Sequence, residues 1–76
     1  MNRVLAIVSV LGRDQKGVVA RISTYLADQD VNIEDIEQRV VRGQFLMDML
    51  VDITEASVSL DELITGLLAI GSEIGM

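Results

Sequence analysis

The chain has 76 residues, half of them apolar, and a formal net charge of −6 at pH 7. This length predicts one domain with a small core, since a chain of this size buries only about 60% of its unfolded surface. It contains no cysteine and no histidine, which excludes disulfide bonds, thiolate nucleophiles and the usual zinc ligands. We therefore expect a domain without catalytic residues, without a metal site and without a cofactor.

The charges are unevenly distributed along the sequence. All six basic residues precede Gly43, and from there on the sequence has six acidic residues and no basic one. An acidic chain with one Phe, one Tyr and no Trp lacks the phosphate contacts and stacking platforms of nucleic-acid-binding proteins. No apolar run approaches the roughly 18 residues of a membrane-spanning helix. We expect no direct binding to nucleic acid or membranes, and a cytoplasmic location.

The first half of the sequence predicts strand, helix, strand. Residues 4–11 form a continuous apolar run rich in β-branched residues, typical of a central strand covered on both faces. A polar loop follows, in which Asp14 is placed to cap the next helix. That helix carries an apolar stripe from Val18 to Leu26. Residues 31–42 then alternate polar and apolar side chains, which predicts an edge strand.

A hairpin is predicted next. Arg42 and Gly43 form the turn, since glycine supplies the positive φ that a two-residue hairpin needs. The strand of residues 44–53 places Leu46 and Leu50 on one of its faces, between acidic residues. Because side chains alternate along a strand, its other face carries Phe45, Met47, Met49, Val51 and Ile53.

The last predicted element is a second helix. Ser59 and Glu62 match a capping box, with Val58 placed to pack against the first turn. Gly75 is placed to end the helix. The predicted apolar stripe of this helix consists of Leu60, Leu63, Ile64, Leu67 and Leu68.

This element order is that of an α+β ferredoxin-like βαββαβ unit without its last strand. Such a unit has an antiparallel sheet with two helices on one face, and its first and third strands are central. We expect residues 1–76 to form a single domain. Because the sequence stops where the last strand would begin, we expect it to be truncated before that strand or to complete its sheet with a partner.

Many unrelated functions use this architecture, so the residues must decide among them. A soft-metal chaperone needs paired thiols, which this chain lacks. An acylphosphatase-like enzyme remains an alternative, because Arg13 and Lys16 in the first loop and Asn32 on a strand could bind an anion, although the glycine-rich anion cradle is absent. For enzymes in general, no nucleophile–base pair can be built without Cys or His. An RNA-recognition domain needs aromatic and basic residues on the sheet face that here carries Leu46, Asp48, Leu50 and Asp52.

Three segments of the sequence, taken together, resemble the ACT domain family. Residues 8–20 (VSVLGRDQKGVVA) are similar to its strand, G-[KR]-D-x-x-G-[IV]-[IV]-A and helix. Residues 30–40 (DVNIEDIEQRV) are similar to NVNI-x-DI-x-Q-x-V, and residues 43–52 (GQFLMDMLVD) to G-x-F-x-M-x-M-x-V-D. The resemblance is strongest to small stand-alone ACT proteins, related to the glycine-cleavage-system repressor and the N-terminal ACT region of phosphoserine phosphatases. Lys16 departs from the family, where Pro is frequent.

The resemblance implies a regulatory module that binds an amino acid or similar molecule at an interface. The family implies a homo-oligomer, a dimer or tetramer, often with domains side by side in one continuous sheet. The chemistry of these residues suits an amino acid. Free N–H groups at a helix start attract the ligand's carboxylate, and Asp14 can bind its ammonium group. The amide of Asn32 can both donate and accept hydrogen bonds. Carried over by position, the implied ligand-binding residues are Gly12, Asp14, Gly17, Val18, Asn32 and Ile33.

Simpler interpretations of these residues stay open. Asp14 can serve only as a helix cap, the two loop glycines only for turn geometry, and Asn32 only as a turn residue before a strand. Two alternative functions also stay open. One is a purely structural oligomerisation module held together by the sheet face of Leu46 and Leu50. The other is the regulatory head of a longer enzyme such as a phosphoserine phosphatase.

Overall fold

The element order is strand, helix, strand, strand, helix in the computed structural model, which describes residues 2–76. All strand pairs in the sheet are antiparallel, and the strand order is β1-β3-β2. This confirms the predicted α+β ferredoxin-like fold without its last strand. The elements are β1 (Leu5–Arg13), α1 (Val18–Asp28), β2 (Asn32–Val41), β3 (Gln44–Asp52) and α2 (Leu60–Ile74).

The core lies between the two helices and one face of the sheet. Alternation along β3 directs four consecutive odd-numbered residues into this core, as predicted. From α1, residues spaced four apart pack against them, as one face of a helix requires. The buried apolar residues are Val18, Ile22, Leu26, Val31, Phe45, Met47, Met49, Val51, Leu63 and Ile70.

The β2–β3 hairpin has the predicted turn. Arg42 and Gly43 have φ values of 51° and 78°, the two positive values that match the right-handed twist of the flanking strands. β2 pairs only with β3 and is an edge strand, as predicted. A β-bulge between Ile33 and Asp35 shifts its register near the start. Beyond the bulge the two strands pair regularly as far as the turn.

Strand β1 does not have the predicted central position within residues 2–76. The strand order β1-β3-β2 leaves β1 with one neighbour. The prediction that both of its faces are covered is also wrong for this structure, because only one face packs against the helices. Its even-numbered residues are partly buried against the helices. Its odd-numbered residues face away from them, and Ile7 and Leu11 are each 63% exposed.

Both ends of α2 agree with the sequence analysis. The Ser59 side chain accepts a hydrogen bond from the backbone N–H of Glu62, and the Glu62 carboxylate bonds back to the N-cap backbone. Gly75 ends the helix with a φ of 76°, in the left-handed region. These caps pair polar backbone groups that a helix end leaves without partners.

The apolar stripe of α2 is narrower than predicted. Leu63 is buried and Leu67 is partly buried, and Ile70, which the prediction omitted, also packs into the core. These three residues form the line along which the apolar side of α2 packs into the core. The other three predicted positions are exposed, by 45% to 69% of their surface: Leu60, Ile64 and Leu68. Neither helix within residues 2–76 has the length and apolar character needed to span a membrane.

Candidate functional site

The start of α1 has an unexpected cap. Asp14 does not cap the helix, so that prediction is wrong. The N-cap is Gly17, whose φ of 83° is accessible to glycine without steric cost. The Asp14 backbone N–H instead donates to the Gly43 carbonyl oxygen at 2.8 Å, which holds the loop against the β2–β3 turn and moves Asp14 away from the N-cap position. No side chain caps the helix, and its first turn has no acidic residue.

Four of the six predicted ligand-binding residues lie together at this end of the molecule. Gly12, Asp14, Gly17 and Val18 follow one another through the end of β1 and the start of α1. Asp14 and Gly17 are exposed, whereas Val18 is buried in the core. An open cavity of about 470 Å³ adjoins the loop. It is lined by Arg13, Gln15, Glu73, Ile74 and Gly75.

The other two predicted residues, Asn32 and Ile33, lie at the opposite end of the sheet. Gly12 pairs with Phe45 on β3, whereas Asn32 pairs with Asp52 on the same strand. These two β3 positions are seven residues apart, or about 23 Å along the strand. One copy of the chain therefore does not bring the six residues into a single site.

A polar cluster surrounds Asn32, and the sequence analysis did not anticipate it. The Asn32 side-chain amide donates to the Glu34 carboxylate. Arg3 forms ion pairs with both Glu34 and Asp52, and its Nε lies 3.2 Å from Asp52 Oδ2. The backbone N–H of Thr54 donates to Asp52 Oδ1 at 2.9 Å. Arg3 and Asp52 are 49 positions apart, and no local sequence pattern links them. We call this group the Arg3 cluster.

The Arg3 cluster changes the acidity of one carboxyl group. Hydrogen bonds from the Thr54 side chain and backbone, together with the positive charge of Arg3, hold the pKa of Asp52 below its usual value of 3.8. Both effects favour the ionised carboxylate. The contribution of Arg3 requires the native arrangement, because Arg3 is distant in sequence, and this part of the lowered pKa links acidity to folding.

Replacing Asp52 with asparagine is therefore expected to change how stability depends on pH. A folded-state pKa below the unfolded value stabilises the native state above pH 3.8, and this contribution is lost as the pH falls through the folded-state value. The Asp52→Asn variant lacks this contribution at every pH. Urea unfolding of both proteins at pH 7 and at about pH 2 should give a larger difference in free energy at pH 7. An equal difference at both pH values would show that Asp52 titrates alike in the folded and unfolded chain.

No group of three or more His, Cys, Asp or Glu side chains in the described part of the chain has a geometry suited to a metal ion. Polar groups lie at both ends of the sheet: Asp14 and the first turn of α1 at one end, and the Arg3 cluster at the other.

The sequence profile of the ACT domain family matches residues 5–76. The chain belongs to the ACT domain family. The matched range starts at β1 and includes every strand and helix of the fold, in agreement with the resemblance seen in the three sequence segments.

Individual relatives support the same assignment. A UPF0237 protein of Methanopyrus kandleri is 49% identical over 71 residues, covering 93% of this chain and 79% of that protein. A UPF0237 protein of Bifidobacterium longum is 38% identical over 76 residues, or 82% of its length. Among solved structures, an ACT domain protein from Streptococcus pneumoniae superimposes with a TM-score of 0.82 at 32% identity, covering 96% of this chain and 82% of that chain. The chain resembles small ACT proteins over most of their length.

Proposed function

We propose that this ACT domain is a regulatory module that binds an amino acid, works as a homo-oligomer and has no catalytic activity of its own. The observation that carries the proposal is the open N-terminus of α1. Its N-cap is Gly17, no side chain bonds to the first turn, and that turn has no acidic residue. Backbone N–H groups in this arrangement attract an anion such as an α-carboxylate.

Asp14 is the proposed partner of the ligand's ammonium group. It is exposed, and the bond from its own N–H to Gly43 fixes the loop in place. A carboxylate next to a helix start would orient a zwitterion, with the ligand's carboxylate toward α1 and its ammonium group toward Asp14. An anion alone would satisfy only half of this arrangement, which favours amino acids over simple acids.

A second copy is proposed to supply Asn32 and Ile33. β2 is an edge strand, and antiparallel pairing of two β2 strands about a two-fold axis would extend the sheet. The beginning of β2 in one copy would then lie beside its end, Val41, in the other. Since Asp14 is held against the adjoining turn through Gly43, this arrangement would bring the two groups of residues together at the interface. A cytoplasmic location agrees with this proposal.

Calorimetric titration with a panel of amino acids tests the proposal. We expect at least one to bind at about millimolar strength, roughly −4 kcal/mol, because the site is open to solvent. Asp14→Ala and Asn32→Ala should each weaken that binding about tenfold or more. Asp28→Ala is the matched control, since Asp28 is also exposed but lies at the far end of α1. Absence of heat with every amino acid would contradict the proposal.

A mixing experiment tests the two-copy site directly. If each site takes Asp14 from one copy and Asn32 from the other, a mixed dimer of the two single variants has one intact site and one doubly altered site. Mixing the variants should therefore restore part of the binding that each has lost alone. If mixtures bind no better than the separate variants, Asn32 does not act across the interface.

Two alternatives apply to the same fold. A structural oligomerisation module is favoured by the exposed apolar residues on the sheet face away from the helices, of which Ile7 and Leu11 are the most exposed. It predicts an oligomer that is indifferent to amino acids. A regulatory head of a longer enzyme would use the same ligand site, and it predicts that amino-acid binding changes the activity of the attached domain.

A further inference from the structure

The sheet face directed away from α1 and α2, here called the helix-free face, has an ordered distribution of charge. Directly paired residues on neighbouring strands point to the same side, so the strand register defines rows across this face, of which we consider the three central ones. We name each row by one of its members: the Asp35 row, the Asp48 row and the Arg39 row. In the order β2, β3, β1, the Asp35 row contains Asp35, Leu50 and Ile7, and the Asp48 row contains Glu37, Asp48 and Ser9. The Arg39 row contains Arg39, Leu46 and Leu11.

Two of the three rows have the same layout with opposite charges. In the Asp35 row an acidic residue on β2 is followed by two apolar residues on β3 and β1. In the Arg39 row a basic residue on β2 is followed by two apolar residues on the same two strands. The Asp48 row lies between them. The face is thus complementary to itself about its middle row.

Three of the four apolar members of these rows are exposed, and the fourth, Leu50, is half-buried. Ile7 and Leu11 are 63% exposed and Leu46 is 36% exposed, and none of them packs against the core. Exposed apolar side chains that adjoin one another over a sheet face are typical of an interaction surface. Covering them removes apolar area from water, which is the main favourable term in association.

We propose that a second copy of this chain stacks its helix-free face on the helix-free face of the first copy. The two copies are related by a two-fold axis that lies between the faces, runs perpendicular to the strands and passes over the Asp48 row. This operation places the Asp35 row of each copy over the Arg39 row of the other. Ile7 then faces Leu11, Leu50 faces Leu46, and Asp35 faces Arg39 of the partner subunit, each contact occurring twice. Two sheets stacked in this way form an apolar layer about 10 Å thick.

The charges select this two-fold axis over the alternative. An axis along the strands would also stack the faces, but it would exchange β1 and β2 between the copies. Asp35 would then cover Ile7, and Arg39 would cover Leu11, which desolvates a charge without providing a partner. Only the axis across the strands places Asp35 opposite Arg39, and within the Asp35 and Arg39 rows it places every apolar residue opposite another apolar residue.

The Asp48 row lies on the axis and limits the strength of the assembly. The Ser9 hydroxyl donates to Asp48 Oδ1 at 2.6 Å, so each Asp48 has one hydrogen-bond partner within its own copy. The two Asp48 carboxylates nevertheless approach each other across the axis, and like charges repel. Glu37 lies in the same row and faces its own counterpart across the axis, which adds a second like-charge contact. Asp48→Asn should therefore strengthen the assembly, an effect opposite to that of most substitutions in an interface.

This interface is separate from the amino-acid site. It uses the flat face of the sheet, whereas the proposed two-copy ligand site uses the edge of β2. Both can form at once, and two side-by-side dimers stacked through their helix-free faces would make a tetramer. The inference adds an assembly surface to the proposed function and does not require a ligand.

Charge reversal followed by sedimentation equilibrium tests the inference. Asp35→Arg and Arg39→Asp should each weaken face-to-face association about tenfold or more, because each places like charges opposite one another twice. The double variant Asp35→Arg/Arg39→Asp should regain most of the wild-type association, since the pairs are opposite in charge again. Asp28→Arg, an exposed reversal on α1, is the control and should leave association unchanged. Circular dichroism checks that every variant is folded.

An apolar pair of variants gives an independent readout. Ile7→Asp should dissociate the stacked copies, whereas Leu60→Asp, on the exposed side of α2, should not. If the double charge variant associates no better than the single ones, or if Ile7→Asp leaves the assembly intact, the inference is wrong. Amino-acid heats measured on wild type are independent of both results, so failure of this interface is distinguishable from failure of the proposed function.

Discussion

Replacing Leu26 with alanine is expected to lower the free energy of unfolding by about 2–5 kcal/mol. Leu26 has no exposed surface and lies on α1 among the core residues of the sheet and α2. The substitution removes apolar contacts and leaves a cavity that a close-packed core refills only in part. Urea unfolding followed by circular dichroism measures the change. A loss of this size is comparable with the whole stability of a small domain, about 5 kcal/mol or slightly more.

Leu68→Ala is the matched control for this prediction. It is the same substitution, also inside a helix, at a residue that is 69% exposed. Since little apolar area is lost there, we expect a change within about 0.5 kcal/mol. Equal losses for the two variants would mean that α1 and α2 do not pack on the sheet as described.

Replacing Gly66 with alanine is expected to destabilise the domain by about 1–3 kcal/mol. Alanine is the better helix former by about 1 kcal/mol, so helix propensity alone predicts the opposite sign. The packing between the helices decides the result. A Cβ atom on Gly66 would lie 1.9 Å from Tyr25 Oη and 2.4 Å from Tyr25 Cζ, distances that require the ring to move. Thermal or urea unfolding measures the difference.

A double-mutant cycle isolates the Tyr25 contact. In a Tyr25→Ala background the ring is gone, and Gly66→Ala should then stabilise the domain by up to about 1 kcal/mol through helix propensity. The expected result is thus a change of sign between the two backgrounds. If Gly66→Ala costs the same in both, close approach of α1 and α2 at this position is not what requires glycine.

Local patterns in the sequence were sufficient for the helices, the strands and several of their ends. The capping box at Ser59, the left-handed stop at Gly75 and the Arg42-Gly43 turn depend on residues only one to three positions apart. The alternation along β3 also depends on near neighbours, and it correctly separated the core face from the face of Leu46 and Leu50. Side-chain chemistry over such short spans acts in the same way in any surrounding structure.

The cap of α1 shows where local chemistry fails. Asp14 has a suitable side chain for an N-cap, but its backbone is bonded to Gly43, 29 positions away in the sequence, and Gly17 takes the cap position instead. A contact between loops at that separation is not encoded in a short motif. The open helix start that results is also the feature on which the proposed amino-acid site depends.

The predicted ligand-binding residues also show what the sequence determines and what depends on tertiary structure. By sequence alone, ACT resemblance identified Gly12, Asp14 and Asn32 as one set, and the family assignment is now established for residues 5–76. The strand register separates Gly12 and Asn32 to opposite ends of β3, because antiparallel pairing fixes each residue against a partner far away in the chain.

By itself, then, the sequence determined the order and type of the elements, the apolar face of β3 and the membership of the ACT family, since these follow from periodicity, capping residues and short motifs. Only the tertiary structure decided that β1 also lies at an edge of the described sheet and how closely Gly66 and Tyr25 approach. It also decided which charges meet in the Arg3 cluster and how the acidic and basic rows lie across the helix-free face. Each of these depends on strand register or helix packing between residues distant in the sequence, and such pairings are fixed only when the whole chain folds.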